Sequence, residues 1–170
     1  EEIEAATPID VLRRAGFDVT VAGLGGTTVK GAHGLAYQAD TSLDKVSGDF
    51  DLVVLPGGMP GAKNLGESAA AKALAERTSA AGNYVASICA APVMTLGAWG
   101  MLNGKQATCY PGMEKMFPPE VRFSPDRVGI DGKTITSRGP GTALEFSLAV
   151  VGVILGDAAR GKLVEDMLFR

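Results

Sequence analysis

Hydrophobic positions along the chain switch between two rhythms. Ile9 and Leu12 recur at helical spacing within Glu1–Ala15, and Gly16 stands just past the end as a stop, which predicts a first helix. Pro8 falls inside that pattern and predicts a kink or a restart. Phe17, Val19 and Val21 then alternate with polar residues, the period of a half-buried strand. A glycine-rich turn follows at Gly23–Gly26, and Val29–Tyr37 has room for one or two short strands. Phe50–Leu55 (FDLVVL) is a short valine-rich run, the pattern of a strand buried on both faces in a parallel sheet, and it ends in the turn Pro56-Gly57-Gly58. Alanine-rich Glu67–Ala81 predicts a helix closed by Gly82. Tyr84–Ile88 (YVASI) reads as a second buried strand and Ala90–Trp99 as a helix. A short strand is expected at Ala107–Tyr110, and a hairpin where Val128–Ile130 and Thr134–Thr136 flank Asp131-Gly132. Two helices close the chain, a strongly apolar one at Gly141–Leu155 and an amphipathic one at Ala158–Phe169.

Strands alternating with helices imply βαβ units: an α/β domain with a mostly parallel sheet and helices on both faces. The chain has 170 residues with no composition break or repeat, so residues 1–170 are read as one domain. In such sheets a ligand site lies beyond the carboxyl ends of the strands. That rule points to the loops after Leu55, Ile88 and Thr108, which hold Gly57-Gly58, Cys89 and Tyr110.

Composition narrows the chemistry. A net charge of −3 lacks the basic footprint of a nucleic-acid binder. No run of 18 apolar residues suggests a membrane span. The 2 cysteines, Cys89 and Cys109, do not make a disulfide framework, so a reducing, cytoplasmic setting is expected. The chain has a single histidine, His33, so a two-histidine metal site within it is excluded and no metal site is expected. Any Cys–His or Ser–His pair would have to use His33, whose surroundings read equally as a surface loop.

Cys89 carries the strongest local signal. In Tyr84–Val93 (YVASICAAPV) a buried strand runs straight into Cys89, then two small residues, then a helix. This is the arrangement of a nucleophile elbow, in which a sharp turn lifts one side chain over the sheet edge. A thiol there sits near a helix N-terminus, which favours thiolate, and the amides of Ala90 and of the Gly57-Gly58 loop can cradle an oxyanion. A buried structural cysteine suits the same pattern. Cys109 has the same two readings, second thiol or packing residue. Arg138–Thr142 reads as a turn into a helix, since it lacks the spacing and lysine of a phosphate loop. Glu4 by itself reads as a solvent-facing residue of an acidic first turn, beside Glu1 and Glu2.

The run Ala86–Pro92 (ASICAAP), the loop Leu55–Gly58 (LPGG) and Thr136–Thr142 (TSRGPGT) together resemble the ThiJ/PfpI superfamily, also called DJ-1/PfpI. The similarity is greatest to its protein-deglycase branch, and Glu1–Gly16 and Asn64–Ala70 fit that branch too. The resemblance implies a flavodoxin-like sandwich that pairs as a homodimer through the first helix, where Ile3 lies. It implies that Cys89 is a reactive, oxidation-prone cysteine and that Glu4 is a protonated carboxyl bonded to its sulfur. Gly58 and Ala90 then offer amides to a substrate oxygen or a sulfinate. Tyr110 stands where the human relative has a histidine, and His33 aligns near an arginine that reaches the neighbouring subunit's pocket. The implied activity needs no cofactor: glyoxalase III-like conversion of methylglyoxal or glyoxal, or removal of their early glycation adducts. The alternative is a redox sensor or stress-linked chaperone built on the same cysteine. A peptidase branch of the superfamily places histidine directly after the cysteine; Ala90 there argues against that chemistry. Family members also carry a short strand ahead of the glutamate-rich helix, central in the sheet. Here the sequence opens on the helix, so a sheet short of that strand is expected.

Overall fold

The valine-rich runs pair side by side. In the computed structural model, which describes residues 1–169, the elements in order are α1 (Glu2–Arg14), β1 (Ala22–Gly23), β2 (Thr28–Lys30), β3 (Ala36–Gln38), β4 (Thr41–Ser42), β5 (Leu52–Leu55), α2 (Gly61–Glu67), α3 (Ala69–Ala80), β6 (Tyr84–Ile88), β7 (Gln106–Ala107), β8 (Arg122–Phe123), β9 (Val128–Asp131), β10 (Thr134–Ser137), α4 (Ala143–Leu155) and α5 (Asp157–Asp166). The main sheet has the order β5-β6-β10-β9. β5, β6 and β10 are parallel, and β9 returns antiparallel to β10. The hairpin between β9 and β10 turns at Gly132, whose φ of +59° suits the expected Asp-Gly turn. α3 packs on β5 and β6, and α4 packs on β6, β9 and β10 with α1 and α5 against it. Ile88, Ile135, Phe146, Leu148, Leu96 and Leu102 fill the core. Among the described residues no helix is long and apolar enough to cross a membrane.

Several elements differ from the expectations. α1 runs unbroken through Pro8. Its buried face is Glu2, Glu4, Pro8, Val11 and Leu12, while Ile9 is only half-buried. The expected helix Glu67–Ala81 is α3, which starts at Ala69 because the Ser68 Oγ caps it by accepting the N–H of Ala71 at 3.2 Å; the short α2 ahead of Ser68 was not expected. Val93–Gly97 forms a π-helical turn in place of an α-helix, with the Ala98 N–H bonding the Val93 carbonyl at 3.2 Å. The strand expected at Ala107–Tyr110 stops at Ala107 because the Thr108 N–H turns to the Thr136 hydroxyl at 3.0 Å and the Tyr110 N–H to the Cys89 carbonyl at 2.9 Å.

The largest departure concerns Phe17–Val21. Among the described residues the segment has no ladder partner; Val21 bonds Asp40 and Thr41, and the ladder with β4 begins at Ala22–Gly23. Among the described residues nothing pairs with the outer edge of β5 either. Two clefts, of about 620 and about 660 Å³, lie between these segments, bounded by Phe17, Val19, Val21 and Gly23 on one side and Phe50, Leu52 and Val54 on the other. A run patterned for burial on both faces therefore stands at a sheet edge, with Leu52 and Val54 only half-buried.

Candidate active site

β6 delivers Cys89 to the centre of the site. Its φ is +66°, in the left-handed region that costs a non-glycine residue roughly 1–3 kcal/mol. The ladder imposes that turn. The Cys89 N–H bonds the Ser137 carbonyl, and the Cys89 carbonyl accepts the Tyr110 N–H, both at 2.9 Å. Backbone pinned on both sides leaves the side chain pointing off the strand end, 7% exposed.

Glu4 meets it from α1. Its side chain is fully buried, which corrects the reading of a solvent-facing residue. Oε2 accepts the Gly57 N–H at 3.0 Å, while Oε1 is buried with no hydrogen-bond partner. Gly57 is wedged between the two groups: a Cβ there would lie 2.6 Å from both the Cys89 Cβ and Glu4 Oε2. Gly58, at φ +81°, has its missing Cβ 2.6 Å from the Glu1 nitrogen. The PGG turn after β5 thus requires glycine twice, once for close approach and once for conformation as well. Gly57→Ala is expected to destabilise the fold by about 1–3 kcal/mol through overpacking, read as a lower midpoint in urea with an unchanged slope.

The electrostatics couple the two side chains. Burial pushes the Glu4 carboxyl up, against the pull of its hydrogen bonds. Burial, and next the Glu4 charge, push the Cys89 thiol up to about 12, while the N–H groups of Gly58 and Ala90 at the sulfur pull the other way. A site this dry does not hold two adjacent negative charges, so the pair shares a proton: carboxylate with thiol, or carboxylic acid with thiolate. A helix end by itself therefore does not make this thiol acidic; thiolate needs the proton to rest on Glu4.

Cys109 is fully buried beside the site and is free, as is Cys89. Burial, then Glu114, raise its thiol to about 11. Both thiols ordinarily titrate near 9, so above that pH the unfolded chain releases protons that the folded chain keeps. Their stabilising contribution is whole below pH 9 and is lost as pH rises through 11 to 12. Cys109→Ala is accordingly expected to flatten the fall of Tm between pH 9 and 11, measured against the unsubstituted protein.

The remaining expected residues divide. Cys89, Glu4, Gly57, Gly58 and Ala90 converge on one point. Tyr110 joins through its backbone, with its half-exposed ring over Gly139. His33 stands apart from the sulfur: its Nδ1 lies 3.1 Å from Glu2 Oε2 and 3.4 Å from Glu1 Oε2. Glu1, Glu2 and His33 are the one group of three metal-ligand side chains converging among the described residues. Glu2 is buried, which the acidic pattern of the first turn did not signal.

An α/β sandwich whose interior parallel strand ends in a cysteine at positive φ, facing a buried glutamate and two backbone amides, defines a cysteine-centred protein of flavodoxin-like architecture. The chain belongs to the DJ-1/PfpI family, whose model matches residues 1–152. It is 43% identical to Protein DJ-1 homolog B of Arabidopsis thaliana over 92% of this chain. The chain spans 36% of that plant protein and 44% of a second Arabidopsis homologue. The crystal structure of Drosophila melanogaster DJ-1beta superposes with a TM-score of 0.95 at 41% identity, covering 100% of this chain and 92% of that one. The glutathione-independent glyoxalase DJR-1.2 of Caenorhabditis elegans is 35% identical over 98% of this chain and 89% of its own length.

Proposed function

We propose that the protein is a cofactor-independent glyoxalase that converts methylglyoxal or glyoxal to the hydroxy acid. The observation that carries this reading is the buried Glu4 carboxyl beside the Cys89 thiol, with the Gly58 and Ala90 N–H groups turned toward the sulfur. The kinship with a glutathione-independent glyoxalase supports the same chemistry.

Glu4 takes the thiol proton as sulfur attacks the aldehyde carbon, and the new oxyanion lies within reach of the two amides. The same proton then passes to that oxygen, giving a hemithioacetal and a free Glu4 carboxylate. Glu4 next removes the proton on the former aldehyde carbon and returns it to the neighbouring carbon through an enediol. One carbon is oxidised and its neighbour reduced within the substrate, so no electrons enter from outside. The product is a thioester, which water hydrolyses, releasing lactate or glycolate and restoring the thiol. Early glycation adducts of the same aldehydes are candidates for the same pair. Exposed Ile3 and Leu35, on and near α1, support a homodimer through that helix.

A second reading, redox sensing by oxidation of Cys89 to sulfinate, draws on the same two amides as ligands for its oxygens. The test is methylglyoxal consumption without glutathione, with lactate detected. Turnover that disappears in Cys89→Ser supports the glyoxalase. A folded protein with no turnover, whose Cys89 is oxidised selectively by peroxide, moves the assignment to the sensor.

A further inference from the structure

The β2–β3 hairpin grips α1 at Glu2. The His33 backbone N–H donates to Glu2 Oε1 at 2.6 Å, and the His33 ring nitrogen Nδ1 faces Oε2 at 3.1 Å. Tyr37 donates its hydroxyl to the Glu2 carbonyl at 3.4 Å. At Gly31 a Cβ would lie within 2.7 Å of three Glu2 side-chain atoms, so a side chain there would push the carboxylate from its present place. Burial opposes ionisation of Glu2, but the ring and backbone bonds from His33, with backbone bonds from Glu2 itself and Leu35, outweigh it and bring its pKa to about 2. Glu2 is thus a buried anion held from the β2–β3 loop, with His33 its largest partner.

On the other side the same helical turn meets the glycine loop. The Glu1 amino group donates to the Gly57 carbonyl at 3.1 Å, and the Gly57 N–H donates to Glu4 at 3.0 Å. Residues two apart on a helix project about 200° apart, so Glu2 and Glu4 leave α1 on nearly opposite faces. One turn is therefore held between two loops, with Glu2 as the handle and Glu4 as the working end. The ring of His33 also lies between Glu1 Oε2 and Glu2 Oε2, two carboxylates that otherwise repel each other across the start of that turn.

We propose that His33 is a positioning residue: by holding Glu2 on one face of the first turn of α1, it fixes the Glu4 carboxyl on the opposite face against Cys89. The proposal rests on the reading of Cys89 and Glu4 as the reacting pair. Its ring is mostly exposed, so His33→Ala removes the ring's contact with Glu2 without opening the core, while the backbone N–H bond to Oε1 stays.

The test compares His33→Ala, His33→Gln and Glu2→Gln with Glu4→Gln as the reference. It measures methylglyoxal turnover and the pH dependence of Cys89 alkylation by iodoacetamide, read at the Cys89 peptide. His33→Ala is expected to lower kcat about tenfold with KM within about twofold, as a misplaced catalytic group does. It should also shift the alkylation profile in the same direction as Glu4→Gln. Glu2→Gln should follow it, and His33→Gln, whose amide N–H can replace the ring donor, should recover at least about half of kcat. An unshifted profile in His33→Ala, whatever its turnover, overturns the proposal while a shift in Glu4→Gln leaves the reacting pair standing. A rise in KM alone also overturns it, since His33 would then be contacting substrate. An unshifted profile in Glu4→Gln as well removes the reacting pair itself.

Discussion

Glu4→Gln is expected to lower methylglyoxal turnover by roughly 10²–10⁴-fold, the usual contribution of a positioned acid–base group. Glutamine has nearly the same shape and its carbonyl still accepts the Gly57 N–H, so the loop and the fold are retained. It cannot take the thiol proton or carry a proton between two carbons. Cys89→Ser is expected to fall to the background rate, because the serine hydroxyl has a far higher pKa and the site already disfavours anions. The double variant should be no worse than Cys89→Ser, since the two side chains act as one unit. Circular dichroism and Tm would separate this from unfolding: Glu4→Gln replaces a buried group whose Oε1 has no partner, so no large loss of stability is expected. Turnover within threefold of the unsubstituted protein would remove Glu4 from the reaction and leave Cys89 without its base.

The sequence and the structure agree where local pattern and tertiary packing ask for the same thing. Phe50–Leu55 and Tyr84–Ile88 could be read as parallel strands because valine and isoleucine on both faces suit burial between helices. Asp131-Gly132 marked a hairpin because only a few residue types tolerate its turn. Strand-end geometry brought Cys89 and the Gly57-Gly58 loop together from topology alone. Glu4 was different. In the sequence it is one of three glutamates in a first turn; the residue pattern does not separate them, the family resemblance alone singled out Glu4, and its contact with the Gly57 loop places it at Cys89. Glu2 was read as exposed for the same reason, and its partner, the loop around His33, is remote in sequence. The one local trace of that contact is Gly31, whose missing side chain makes room for a carboxylate. The break at Ser68 and the π turn at Val93–Gly97 depend on single hydrogen bonds that periodicity does not encode.

Phe17–Val21 alternates like a strand and yet forms no ladder among the described residues, and that mismatch leads to the second large effect. Among the described residues neither Phe17–Val21 nor the outer edge of β5 has a ladder partner across the clefts between them, and half-buried Leu52 and Val54 face the same space. Asp18, Asp49 and Asp51 line the end where β5 begins. An extended segment parallel to β5 therefore matches the gap when it starts with basic residues and continues with apolar ones on both faces. The Glu1 nitrogen lies 3.1 Å from the Gly57 carbonyl, past the end of β5, so a lysine–arginine pair, five residues rich in valine and isoleucine and a short glycine turn joined ahead of Glu1 can reach it. Each apolar side chain buried contributes about 1.5–3 kcal/mol and each ladder bond about 1 kcal/mol, against about 1–2 kcal/mol per residue to order the backbone. At mid-range the five strand residues gain about 9 kcal/mol together and ordering the about four flanking residues takes back about 6, leaving about 3 kcal/mol, which corresponds to a rise in Tm of about 6–12 °C. The same extension with serine at its apolar positions should leave Tm unchanged. A rise of less than about 2 °C in both would mean that Phe17–Val21 and β5 close on each other in solution. Turnover should rise with Tm, because Pro56, Gly57 and Gly58 follow directly from β5, and a strand held on both edges fixes the loop that Glu4 and Cys89 share.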